Sequence, residues 1–570
     1  MAVMQLGWGI ERLRWRADAR APVPHALSRP AAPDGAGDAG RGRDLLAGRH
    51  HRAGQLVEAQ GRAIWALGPE TDPQGIALHG FGWLDDLASF GGPAARDLAW
   101  RWLRDWIARY GEGRGPGWTP DMLAARLSRW VAHAAWLGEA PSPEAEMAAF
   151  LRSLSRQSRW LARHWRRAAA PARIHALAAL IGAETALHGA PRQPARRAAA
   201  LGQAAADTIG ADGAIASRTP EGLLDLVCDL NAAAALLGDA TAPAHRDALG
   251  RAAAVLRSLR HADGGLARFH GGGRGAPGRL DRALAEAGVP PGPPAVGLRM
   301  GYARLAAGRT SVILDAAAPP SGPRAIHAHA STLAFEMTCG RRPVIVGCGS
   351  GAHHGPDWRR AGRATLSHST LCLEGLSSAR LGRGADGAEP LVEGPGEVLA
   401  HRADSDDLQR IEASHDAWRA SHGLTHDRRL GLDRSGAALL GEDLLTTLGP
   451  ADERAFDAAS RAGRDPGVTF AIRFHLHPHV TPELDAQGTC VRLRLRSGEV
   501  WTLAHDGGAR LSLAPSVYLE KSRPRPVPTQ QVVLSGRAMA YATLVRWSLV
   551  SSGDAGTALR DLRNGEDDPA

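Results

Sequence analysis

The sequence predicts an α+β multidomain chain, an all-α N-terminal part followed by a C-terminal antiparallel β-sandwich. Three observations predict it. At 570 residues the chain is long enough for two or more domains, each with its own core. From about residue 80 to 270 the apolar residues recur at helical spacing, with short Gly/Pro loops between the runs. From Tyr302 onward the period shifts to two, in many short runs bounded by turn residues.

Residues 1–45 are rich in Ala, Pro and Gly and read as a flexible segment. Residues 46–80 read as a lead-in with short extended pieces, and 46–290 as the helical domain. Leu123, Leu127, Trp130, Val131 and Leu137 form one helical stripe. Thr119 suits its N-cap, Pro120 its first turn and Gly138 its end. Thr219-Pro220 opens another helix, with Leu223, Leu226, Val227 and Leu230 inward and Gly238 as the stop. Further helices are expected near 93–110, 144–167, 171–188, 194–209 and 242–260. Ten of the sixteen tryptophans fall between Trp65 and Trp165. They either pack between helices or stack on sugar rings. Trp83 and Trp118, with glycines nearby, are the candidates for loops that meet a sugar.

The Gly-rich stretch 261–275 separates the halves and lacks the Lys-Ser/Thr pair of a phosphate loop. It is either a linker or a loop that places Arg268, His270 and Arg274 near substrate. Residues 300–552 form the β domain. One hairpin is expected around Gly308-Arg309 and another around Asp433–Gly436. Residues 553–570 are a polar tail.

The net charge is +9, and Lys521 is the only lysine. Guanidinium groups suit carboxylates and sulfates, but a GC-rich genome that encodes arginine by default is the main reading of the excess. The arginines are dispersed and no reader motif is present, which argues against nucleic acid. No apolar run is long enough to span a bilayer, and the charged N-terminus does not resemble a signal peptide. Five cysteines without a CxxC pair argue against a disulfide framework and a zinc ribbon.

The chemistry concentrates between Tyr302 and Gly375. His327 and His329 precede the alternating run Leu333-Phe335-Met337, and His368 opens a second run. Histidines on paired strands can hold a metal or move a proton. The order H-A-H-A-S-T-L-A-F-E, G-R-R-P-V-I-V-G-C-G and S-H-S-T-L resembles the C-terminal signature of the heparinase II/III-like family.

That resemblance implies an incomplete α/α toroid before the sandwich, and β-elimination on an anionic uronate polysaccharide in the cleft between the domains. Elimination requires neutralisation of the uronate carboxylate, a base for the C5 proton and an acid for the leaving oxygen. His327 matches the family's proton-transfer histidine. Asn231 resembles the asparagine that neutralises the carboxylate. Tyr302 is either the catalytic tyrosine or strand packing, since no tyrosine lies between Tyr110 and Tyr302. His329 and His368 match two ligands of a structural zinc, while Gly347 stands where the family usually has aspartate. Cys348 is a candidate replacement ligand, and a hydrogen-bonded buried histidine pair without metal is the alternative. The family often has aspartate where this chain has Ser331.

His475 and His477 share an expected strand face, and Arg363, Arg419 and Arg428 are candidate anion contacts. Two functions follow: a polysaccharide lyase, or a catalytically weakened carbohydrate-binding or cell-envelope protein on the same scaffold. The resemblance implies an envelope or periplasmic setting. The N-terminus leaves the cytoplasm open.

Overall fold

The computed structural model describes residues 37–552, apart from short stretches at 53, 60–61, 69–71, 140–143, 190–191, 291–296, 385–387, 464, 522 and 524, together with residues 18, 24 and 26–28. Most of the expected flexible segment and the whole expected tail lie outside the described residues. A helix at Ala39–Leu46 begins inside the former, earlier than expected. The Asp38 carboxylate caps it by accepting from the Arg41 N–H at 3.1 Å.

The chain divides into two compact units, residues 1–211 with 225–251, and residues 212–224 with 252–570. The expected boundary near 290–300 is therefore displaced. The Gly-rich stretch 261–275 groups with the β strands.

The first unit is mainly helical and not all-α as expected, since Ala26–Leu27 pairs with Leu187–His188 and Arg49–Arg52 with Gln55–Glu58 as short antiparallel strands. Its helices include Gly82–Phe90, Gly92–Tyr110, Pro120–Ala132, Glu144–His164, Ala170–Ala186 and Pro194–Thr208. Thr119 caps Pro120–Ala132, accepting from the Met122 N–H. Its core is aromatic. Trp65, Phe81, Trp83, Trp106, Trp118 and Trp130 pack edge-on, tilted or stacked with centroids 4.7–6.2 Å apart. Arg126 is buried among them, 4.1 Å from the Trp106 ring centre. It donates to Gln157 Oε1 at 2.6 Å and to the carbonyls of His79 and Gly117. Packing thus accounts for the tryptophan cluster. Trp83 lies on a helix and not in a loop, is buried, and donates to the Leu78 carbonyl, so its indole has no free face for a sugar.

The second unit holds the sandwich, in two antiparallel sheets of eight strands. One sheet runs in the order Val398–Arg402, Leu408–Trp418, Leu424–Asp433, Ala438–Thr446, Ala542–Ser551, Val500–His505, Cys490–Leu495, Val480–Leu484. The other runs Arg510–Tyr518, Val527–Ala538, Val468–Leu476, Arg342–Val346, Phe335–Cys339, Thr310–Asp315, Tyr302–Ala307, with Leu371–Leu373 also paired to Val468–Leu476. Alternate residues of both sheets face inward, among them Leu314, Phe335, Phe474, Leu430, Trp501 and Trp547.

Both expected hairpins form. Their turns meet, since a Cβ on Gly308 would lie 2.2 Å from the Ser435 carbonyl oxygen and one on Gly436 2.0 Å from that of Ala307. Both glycines have positive φ, so only glycine fits at each. Thr310 adds a 2.6 Å hydrogen bond to the Gly436 carbonyl.

Candidate functional site

His327 ends the 3-10 turn Gly322–His327, before the strand Phe335–Cys339 begins. The prolines at 319, 320 and 323 stop the chain from continuing as strand, so the two motif histidines are not on a strand face. His327 is exposed and His329 buried. Two arginines hold the segment between them. Arg363, buried, donates to the carbonyls of Ala328 at 2.8 Å, Ala325 at 2.9 Å and Glu389 at 2.6 Å. Arg359 donates to the Ile326 carbonyl at 2.9 Å. The Gly-rich loop closes the other side. Gly271, with φ of 85°, would place a Cβ 3.6 Å from that of His327.

These surroundings act on the His327 imidazole. Partial burial lowers its pKa, and the positive charges of Arg359, Arg363 and Lys521 lower it further. It is therefore a neutral base at pH 7 that still meets solvent. Arg363 itself is not an anion contact as expected. Burial and Arg359 push its pKa down to about 10, and its donors are spent on carbonyls. Nor is Arg428, which is buried in the sandwich. Arg419 is paired with Asp452 at 3.0 Å.

The other candidates face inward. The Tyr302 hydroxyl donates to the Arg218 carbonyl at 2.5 Å. Its ring stacks on Phe269 at 5.2 Å and lies under the Arg218 guanidinium at 4.8 Å. Burial pushes this phenol far above its ordinary pKa. Of its two readings, strand packing describes this position. Arg268 is buried between Glu336, 3.3 Å away, and the Tyr518 ring, with a bond to the Gly347 carbonyl at 2.9 Å. It is a structural cation, not a surface contact. Burial alone would raise Glu336, but Arg268 and His261 hold it down to about 2. Arg274 remains partly exposed and pairs with Asp263 at 3.1 Å. Asn231 belongs to the first unit, buried on the helix Pro220–Leu237.

His270 joins a network that sequence reasoning missed. Its Nδ1 accepts from the His329 N–H at 3.1 Å, so its proton sits on Nε2, 3.4 Å from Asp315. Asp315 is fully buried, ion-paired with Arg218, and accepts from Ser331 Oγ at 2.7 Å. Burial by itself raises this carboxyl, yet Arg218 and His270 hold it down to about 2. Arg218 also binds the carbonyls of Met300, Gly301, Ala317 and Ala318. The available signal was an aspartate closing an all-apolar run, Val312–Asp315, which demands a buried cation.

His329 Nδ1 and His368 Nε2 stand 3.3 Å apart, both buried. A zinc would need further donors. A side chain at Gly347 would begin 3.4 Å from His368 Nδ1, so this position borders the pair and supplies nothing. Cys348 points elsewhere, 3.5 Å from His475 Nδ1. Burial raises that thiol, but His475 and Ser516 draw it down to about 7. Among the described residues no three His, Cys, Asp or Glu side chains converge on one point. The residues present do not fit a structural zinc; they fit a hydrogen-bonded histidine pair. His475 and His477 do not share a strand face as expected, because the strand Val468–Leu476 ends between them. His475 donates to the Leu366 carbonyl at 2.9 Å, and His477 packs on Tyr518.

The histidine pair sets an acid sensitivity. Burial first, and His475 second, push His368 down to about 3. His329 is also driven well below the ordinary value by burial and by His368. Unfolded imidazoles take up protons near pH 6.5 that the folded ones refuse, so stability is full above that pH and falls as pH drops toward 3. At pH 5 His368 alone should cost about 2 kcal/mol. The melting temperature should therefore fall between pH 7 and pH 5, and less steeply in His368→Gln.

The C-terminal model of the heparinase II/III-like proteins matches residues 289–548. FtsZ-localized protein C of Caulobacter vibrioides is 32% identical over 557 residues, 93% of this chain and 91% of that protein. The chain belongs to the heparinase II/III-like family. Heparinase family structures share its fold. Heparinase III superposes with a TM-score of 0.68 at 13% identity, covering 94% of this chain and 88% of that one. A heparan sulfate lyase of Pedobacter heparinus superposes with a TM-score of 0.53 at 15% identity, covering 95% and 87%. No helix among the described residues is long and apolar enough to cross a membrane.

Proposed function

We propose that this heparinase-family protein works where FtsZ assembles, and that its exposed His327 surface binds the carboxylate of an anionic, uronate-type sugar. The observation that carries the first half is the 32% identity to an FtsZ-localized protein along nearly the whole chain, against 13% to heparinase III. This favours a cytoplasmic setting over the envelope. The second half rests on the environment of His327, with Arg359 raising the local positive potential while Lys521 is ion-paired with Glu221. Tyr302, Arg268 and His270 are consumed by internal partners, so the second unit offers few groups to divide between acid and base. That favours binding over rapid turnover.

A working lyase is the second reading, and one observation favours it: His327 is exposed and kept neutral, as a general base must be. Two experiments separate these. The protein should co-sediment with FtsZ polymers assembled with GTP; failure to do so removes the first half. His327→Ala should weaken binding of glucuronate oligosaccharides about tenfold, equivalent to about 1.4 kcal/mol. If wild type releases ultraviolet-absorbing unsaturated uronate, the same change should slow that release about 10²–10⁴-fold. An unaltered His327→Ala protein would remove the sugar-binding half.

A further inference from the structure

We propose that the helical unit carries a second, separate binding site, for a phosphate-type dianion, in an arginine-lined groove along the helix Pro194–Thr208. The groove has a volume of about 630 Å³ and is lined by Arg166, Arg173, Arg196, Arg197, Trp165 and Asp207, with others. Ala200 and Ala204 leave its floor open on the helix face. It lies within the first unit and does not depend on the His327 reading.

Several features mark it as more than a solvated basic face. The guanidiniums are pre-placed. Arg173 donates to the carbonyls of Ala168 at 3.0 Å and Arg166 at 3.2 Å. Arg166 stacks over the Trp165 ring at 4.4 Å, and Arg196 donates to Gln193 at 3.3 Å. Carbonyl, ring and amide partners position a cation without neutralising it. Among the described residues only Arg197, of the four groove arginines, has a carboxylate partner, Glu184 at 2.8 Å, while Asp207 accepts from Gln203 at 2.8 Å. Positive charge therefore remains in excess.

The arginines also sit where a helix disfavours them. Arg196 and Arg197 are in the first turns of Pro194–Thr208, and Arg173 is in that of Ala170–Ala186. Neither helix has an acidic residue in its first turn. The N-terminal end of a helix is already positive, so cations there repel the dipole. A bound anion would relieve this repulsion and use the same positive ends. Planar guanidiniums can grip phosphate oxygens in pairs. A dianion matches the excess charge better than a single carboxylate does.

The test is calorimetric titration of the full chain with inorganic phosphate, pyrophosphate and glycerol phosphate. The first two against the third distinguish a free-anion site from a phosphomonoester site. Binding should weaken about tenfold in Arg166→Ala/Arg196→Ala, and similarly in Arg196→Gln, which keeps a polar side chain at that position. The exposed Arg101, outside the groove, serves as a charge control. Arg101→Ala should bind as wild type does. The proposal is overturned if none of the three anions binds at a concentration on the order of 1 mM. It also falls if Arg101→Ala loses as much affinity as the groove variants, or if glucuronate competes as well as phosphate.

Discussion

Replacing Asp443 with asparagine should destabilise the protein by about 3–5 kcal/mol, because it strands a buried cation. Arg428 and Asp443 both lie between the sheets with no more than 1% of their surface exposed. Asp443 accepts from Arg428 Nε at 2.8 Å and Nη2 at 3.1 Å, from His426 at 2.7 Å and from Trp547 at 2.9 Å. Burial alone would raise its pKa, but Arg428 and His426 hold it well below the carboxylate range. Arg428 then reaches across the core and donates to the carbonyls of Leu333 at 2.8 Å and Ser369 at 3.0 Å. One guanidinium thus ties one sheet to the loops that carry His329 and His368. Urea unfolding should show the loss in the midpoint. The double change Arg428→Met/Asp443→Leu should recover much of it, since replacing both members of a buried pair is far milder than removing one. An Asp443→Asn midpoint within error of wild type would refute the burial of this pair.

Arg363→Ala should cost about 3–5 kcal/mol, because it leaves three carbonyls without their shared donor. Those of Ala325 and Ala328 flank His327 directly. The change should have a second, local signature. Arg363 is one of the charges that lower the His327 pKa, so its removal should raise that pKa toward the ordinary value. A titration of the His327 ring by NMR reads this directly. Arg363→Lys keeps the charge but cannot span three carbonyls, so it should lose stability while leaving the His327 pKa lower than in Arg363→Ala. An unchanged His327 titration in Arg363→Ala would show that the arginine acts only as a brace.

Much of the architecture was legible in the sequence, and the reasons are local. The helix at Pro120–Ala132 carries its own cap and stripe, and the hairpin at Tyr302–Ala307 and Thr310–Asp315 carries its own alternation and turn glycine. His327 was legible because the prolines before it keep it off the strand. Helices within the sandwich half were missed. Pro356–Arg363 is short and mostly polar, with no long apolar stripe to announce it, yet it supplies the clamp under His327. Trp83 was misjudged because flanking glycines suggested a loop, whereas Gly82 opens a helix and the indole packs against Trp65, Phe81 and Trp102.

By itself the sequence determined the order of the two halves, the helix and strand periods, the family signature and the histidines worth watching, all properties of residues close together in the chain. Only the tertiary structure decided which polar groups reach solvent. Asp315 meets Arg218 across 97 positions, and Tyr302 meets the Arg218 carbonyl across 84. No spacing rule links such residues. Their pairing follows from the need to satisfy every charge and hydroxyl that the closing sandwich takes out of water. That requirement turns Tyr302, Arg268 and His270 inward and leaves His327 at the surface.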